Sequence, residues 1–180
     1  MVRSNHIGNL HPVIQEAYTY WNRKRGDRPM PSRDDIDPID IPGIIPHIIL
    51  IDVEHDPMDF RFRLIGTYVD RHVSGSYTGK RHRDIPQKGP GSGIWKAMEQ
   101  VVRTGEPHVD YLGYYGPVPE VRGVEEAILP LGKDGRITML MNVLVFIASR
   151  NPMVDLTARY RPDWPIGSAE AEQFRISIND

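Results

Sequence analysis

The stretch "RPMPSRDDIDPIDIPGIIPHIILIDV", residues 28–53, decides how the chain is read. Pro38, Pro42 and Pro46 recur every four residues. Each removes a backbone N–H and restricts the residue before it, so no ordinary helix runs through them and any helix there is a single turn. Ser32 followed three residues later by Asp35 has the form of a capping box. The isoleucines between the prolines call for burial. From His47 the composition changes: "HIILIDV", 47–53, is β-branched and apolar and predicts a buried strand. The segment therefore reads as a stiff connector that runs straight into the core. Its fixed φ angles would hold the N-terminal region against the first strand, and its acids would cap turns or pair with Arg28 or Arg33.

The N-terminal region carries "HPVIQEAYTYWNRKRG", 11–26. Pro12 suits a first helical position, and Leu10, Ile14, Ala17, Tyr18 and Trp21 fall on one side at helical spacing. Arg23, Lys24 and Arg25 favour the C-terminal end, and Gly26 the stop. On the other side of the connector, the first strand leads to a turn at 55–58 and then to "DFRFRLIG", 59–66, which alternates Phe60, Phe62 and Leu64 against Arg61, Arg63 and Ile65. That pattern predicts a half-exposed strand in a hairpin with the first. Thr67 and Asp70 suggest a capped two-turn helix ending at Gly75. Residues 76–91 are irregular. "SGIWKAMEQVVRTG", 92–105, predicts a helix capped by Ser92 and stopped by Gly105. Strands are expected at 107–116, 121–132 and 137–147, the last two joined by the tight turn "GKDGR". The order argues for an α+β fold with an antiparallel sheet. The last strand is apolar on both faces, so both need cover: central helices on one side, the N-terminal helix or a second subunit on the other.

Composition narrows the function. The chain has 180 residues, a formal net charge of −2 and no cysteine. That size suits one domain with an extension. The charge argues against a nucleic-acid partner, despite the basic "GKRHRD" at 79–84. Without cysteine there is no disulfide, thiolate catalysis or iron–sulfur ligation, which fits a reducing compartment. The longest apolar run, 137–148, is about half a membrane span. A soluble, cytoplasmic protein is expected, with no membrane partner.

The phrase "YW…RG.RPMPSRDDIDPIDIP" over 20–42, followed by "LIDV" and "DFRFRLIGT", resembles the lead-in of a bacterial subfamily of small, stand-alone PAS proteins. The matching residues are Trp21, Gly26, Arg28, Pro29, Pro31, Asp35, Asp37, Pro38, Pro42, Phe60, Arg61, Arg63, Gly66 and Thr67. The resemblance implies a PAS-like five-stranded antiparallel sheet with central short helices, one longer helix and an N-terminal amphipathic flanking helix. The resemblance covers residues 11 to about 150; with the proline-bearing, weakly periodic tail, the chain divides into helix and connector (1–43), PAS core (44–148) and an irregular C-terminal extension (149–180). The resemblance also implies a sensory or regulatory module rather than an enzyme, one that binds a small ligand between sheet and helices and pairs as a homodimer through the flanking helix. Ile14, Ala17, Tyr18 and Trp21 are the interface candidates. No kinase or helix-turn-helix output domain is legible, so action in trans on a signalling partner is expected.

The chemistry-bearing residues are sparse. The seven histidines are scattered, with no pair at zinc spacing and no HExxH, so no metal is expected. Haem, a known ligand of the family, would need a histidine aimed into the pocket; residues 92–105 contain none, although His72 and His82 lie near. The missing cysteine excludes a covalent flavin adduct. A small organic metabolite remains. Candidates to line its pocket are Tyr68, His72, Trp95, Met98, Tyr111 and Asn142, with Met139 and Met141 beside them; for the aromatics and methionines a place in the core is the favoured alternative. Asn142 stands out, because it interrupts an otherwise apolar strand where a buried amide needs partners. Two further readings stay open: a ligand-free interaction scaffold, and an enzyme on a related cone fold using Asp110 or Glu126 as an acid in an apolar cavity. No sequence motif supports the last, and catalytic residues are not expected.

Overall fold

The computed structural model describes residues 10–114 and 117–148. Helix α1 (Pro12–Arg25) comes first. Strands β1 (Ile48–His55) and β2 (Met58–Ile65) come next, then the single-turn α2 (Thr67–Asp70) and α3 (Gly93–Thr104), then β3 (His108–Gly113), β4 (Val121–Lys133) and β5 (Arg136–Ala148). All strands pair antiparallel in one sheet, ordered β2-β1-β5-β4-β3. This is the α+β architecture expected. Residues 149–180, read as an extension, lie outside the described residues.

β5 is buried from Met139 to Phe146 because both of its faces are covered. On one side α1 packs across β4 and β5, inserting Ile14, Ala17 and Trp21. The Trp21 indole donates its N–H to the carbonyl of Pro130, 2.8 Å away in the interior. Pro130 is tolerated in a long inner strand because β3 begins only at His108, opposite Ile128, so β4 beyond that point has no strand beside it and needs no N–H there. Two residues on, Gly132 donates its N–H to the carbonyl of Pro31 (2.9 Å). The connector thus lies along the part of β4 that β3 leaves open.

The prolines of the connector start turns rather than spacing a linker. Single 3-10 turns occupy Arg33–Asp35, Pro38–Asp40 and Ile45–His47. Asp35 accepts both the Ser32 backbone N–H (2.7 Å) and the Ser32 hydroxyl (2.8 Å), and its carboxylate also meets Arg28 at 2.9 Å. These partners hold its pKa down at about 2, the serine contributing most. Asp37 caps the second turn through the N–H of Ile39 (2.9 Å). Tyr20 of α1 accepts the N–H of Asp37 (2.9 Å), and Lys24 meets Asp40 at 2.8 Å. Met30, Ile36, Ile41 and Ile44 are buried, while Ile39 is 86% exposed.

Several local expectations change. The alternation in β2 breaks at a bulge where Leu64 opposes Leu50 but Phe62 opposes Ile51, leaving Arg63 as the extra residue. Phe60 and Phe62 stay buried, Leu64 turns outward at 44% exposure, and Ile65 turns in. The helix at 67 has one turn, not two, and Gly66 rather than Thr67 is its N-cap. A Cβ on Gly66 would come within 2.3 Å of the Pro46 carbonyl, so the close approach of the connector requires glycine there. β3 is shorter than expected and ends at Gly113. The β4–β5 turn matches its sequence: Asp134 and Gly135 both have positive φ, at 52° and 77°, as a two-residue hairpin turn demands.

Two outcomes test this scheme. Trp21→Phe keeps an aromatic ring but strips the buried Pro130 carbonyl of its donor, and urea unfolding should show a loss of about 1–3 kcal/mol from that carbonyl alone. Asp35→Ala should cost about 1 kcal/mol at neutral pH, as capping losses do. Because the folded-state pKa is depressed, that difference should be full above about pH 4 and vanish as the pH falls toward 2.

Candidate functional site

The inner face of the sheet does not close on the helices. Between them lies a cavity of about 400 Å³, within the usual range of small-molecule sites. Its floor is Ile49, Ile51 and Phe62 of β1 and β2, Val124 and Glu126 of β4, and Asn142, Leu144 and Phe146 of β5. Its roof is the α2–α3 region, including His72, Tyr77, His82, Lys88 and Ile94. Alternation along β4 and β5 puts these residues on the face opposite α1.

Asn142 is 3% exposed. Its amide N–H donates to Glu126 Oε2 at 3.2 Å, while its Oδ1 has no hydrogen-bond partner. The donor must face the carboxylate, which fixes the amide's orientation. Glu126 pairs across the strands with Asp110, and both are buried. Burial pushes the Lys88 ammonium below its usual pKa, and the charge of Glu126 works against that fall.

Two histidines frame the roof. His72 stacks on Phe146 with ring centroids 4.3 Å apart, and its Nδ1 meets the Tyr68 carbonyl at 2.8 Å. His82 is buried, stacks on Phe62 at 4.1 Å and places Nδ1 3.0 Å from the Phe60 carbonyl. A carbonyl only accepts, so each Nδ1 carries the proton. Burial lowers the His82 pKa to about 4, so its ring is neutral at physiological pH and its Nε2 is an acceptor.

Of the residues expected to bind ligand, the structure brings His72 and Asn142 into the cavity wall. Trp95 and Met98 are core: Trp95 meets Phe60 edge-on at 5.0 Å, and Met98 is fully buried. Tyr111 pairs with Glu125 and so lies on the α1 face, its ring over Gly123, where a Cβ would meet the hydroxyl at 2.1 Å. Tyr68 is structural, exchanging hydrogen bonds of 3.3 Å with the N–H and carbonyl of Phe146, on the edge of β5 that β1 does not reach. His47 holds the Leu144 carbonyl on the same edge at 2.9 Å. Of the interface candidates, Ile14, Ala17 and Trp21 are buried against their own sheet and Tyr18 is partly exposed. Lys88 is a wall residue with no signal in the sequence, while His82 and Glu126, named there only for haem and for an acid in a cone fold, also line the cavity. Glu126 was legible in principle, two strands from β1 and in register with Asn142's neighbourhood, but only once the β4–β5 pairing is known. Among the described residues no cluster of three or more histidines and acids could hold a metal.

A pH experiment tests the burial of the histidines. His82 and the likewise desolvated His108 both have folded pKa values near 4, below the unfolded value of 6.5. The unfolded chain therefore binds more protons between those limits, and stability must fall as pH drops through that window. The expected loss between pH 7 and 5 is on the order of 2 kcal/mol per histidine. His82→Gln should flatten this dependence in denaturant titrations, and an unchanged slope would show that His82 is not buried as described.

A family model described as PAS domain matches residues 10–107. The match takes in α1, the connector, β1, β2 and the whole roof of the cavity through α3. No curated protein matches the chain. Residues 10–107 are more than half of the sequence, and the chain belongs to the PAS domain family.

Proposed function

We propose that this protein is a sensory or regulatory PAS protein that binds a small organic molecule in the cavity on its inner sheet face and relays occupancy to a signalling partner. Family membership supports the sensory role, since PAS domains are typically sensory rather than catalytic. The observation that carries ligand binding is the cavity itself: it is mainly apolar, and buried in its wall is Asn142, an amide with an acceptor atom left without a partner. A domain that needed only a packed core would gain stability by placing a leucine there. The roof that a ligand would touch is built from single turns and irregular chain between β2 and α3, the class of element whose arrangement is changed most cheaply. The chain acts without chemistry of its own in this reading, as a member of the small-protein branch of the family, in the cytoplasm. Its freedom from cysteine agrees with a reducing compartment.

Native mass spectrometry of the purified protein, together with thermal-shift screening of a metabolite panel, tests the proposal. At least one compound should raise the melting temperature by several degrees. Leu144→Trp, which fills the cavity from its floor, should abolish that shift while leaving the circular dichroism spectrum unchanged. A panel with no stabilising compound and no co-purified mass would count for the packed scaffold instead.

A further inference from the structure

Three buried polar side chains in the cavity wall, Asn142, His82 and Glu126, have their orientation fixed by a hydrogen bond or a partner and turn acceptors to what remains. Asn142 has spent its N–H on Glu126 and keeps a bare carbonyl oxygen, buried and without a partner. His82 has spent its Nδ1–H on the Phe60 carbonyl, which leaves Nε2 as an acceptor. Glu126 adds a carboxyl group that already takes the Asn142 N–H. Asn142 cannot reverse its role without breaking the hydrogen bond that orients it, and the neutral His82 ring offers only an acceptor beyond its own. The lining also includes the apolar and aromatic Leu144, Phe146 and Phe62, with Ser74, Tyr77 and Gln87 on the roof side. Lys88 is the cationic group in the wall; its ammonium lies over the Tyr77 ring, 5.8 Å from the centroid, and feels the charge of Glu126.

From this array we infer that the cavity selects a flat, largely apolar ligand that donates hydrogen bonds through N–H or O–H groups and carries no negative charge, such as an indole, a phenol or an aromatic amine. The inference rests on the ligand-binding reading above and narrows it. A donor on the ligand would satisfy Asn142 Oδ1, removing the penalty of a buried acceptor without a partner. A carboxylate or phosphate would instead set acceptor against acceptor at Asn142 and His82 and bring a second negative charge toward Glu126. Phe146 with the stacked His72, and Phe62 with the stacked His82, give the ligand two flat walls.

Matched probes on the full chain read this out. Indole and phenol are titrated by calorimetry and thermal shift against N-methylindole and anisole, which lose the donor, and against benzoate, which adds a negative charge. The donor-bearing probes should bind at least tenfold more tightly than their methylated partners, and benzoate should not bind. Asn142→Leu should erase the preference by weakening indole to the level of N-methylindole. If that variant fails to fold, the wild-type comparison of indole with N-methylindole decides alone. Equal binding of methylated or anionic probes, lost in Leu144→Trp, would overturn the ligand class while leaving the cavity reading standing. Binding of no probe, or binding unaffected by Leu144→Trp, would overturn the cavity reading and this inference with it.

Discussion

The structure turns on β5, a strand that is apolar on both faces and cannot stand in water with either face bare. A sheet built round such a strand must recruit two layers of cover, and the chain supplies them asymmetrically. On one side α1 closes tightly, with Ile14 and Ala17 fully buried and Trp21 anchored by its indole N–H to Pro130. On the other, α3 covers only part of the sheet, and short turns and loops complete the roof. The dense layer gives the fold its stability; the sparse layer leaves the space in which a ligand fits. One sheet thus serves two purposes because its faces are packed to different densities.

The ends of the strands show the same economy of backbone partners. β1 covers β5 only as far as Val143, and beyond it Tyr68 and His47 take up the exposed backbone of Phe146 and Leu144. At the opposite end His55 reaches the Ile137 carbonyl at 2.7 Å. Two of the scattered histidines that form no metal set in the sequence, His47 and His55, are thus side chains completing a ladder that a neighbouring strand leaves short. Both the cavity histidines and these edge histidines donate to backbone carbonyls, which fixes their tautomers.

Much of this architecture was legible in the sequence because it rests on local rules. The Ser32–Asp35 cap, the Ser92 and Gly105 limits of α3, and the positive-φ turn after Lys133 depend on a few adjacent residues, and each appears where its residues stand. The face of Asn142 came from simple alternation. The illegible features depend on partners far away in sequence. The bulge that expels Leu64 exists only in register with β1. Tyr111 belongs to the α1 face because it pairs with Glu125, which cannot be known before β3 and β4 are aligned. Trp95 and Met98 looked like pocket residues because a helix stripe does not say whether it meets a cavity or a core. The role of His82 was hidden for the same reason: its sequence context is basic and irregular, yet the chain folds it against Phe60 and Phe62.

The contact of the connector with β4 has a consequence outside the single molecule. Past Ile128 the outer side of β4 would present unsatisfied backbone groups, the template on which sheets of different molecules join. Here the Pro130 carbonyl is held by Trp21, its nitrogen bears no hydrogen, and the Gly132 N–H is held by Pro31. These groups are closed to an incoming strand. The stiff, proline-bearing segment is also a guard against polymerisation, and a chain that lost it would expose that stretch of β4 to its neighbours.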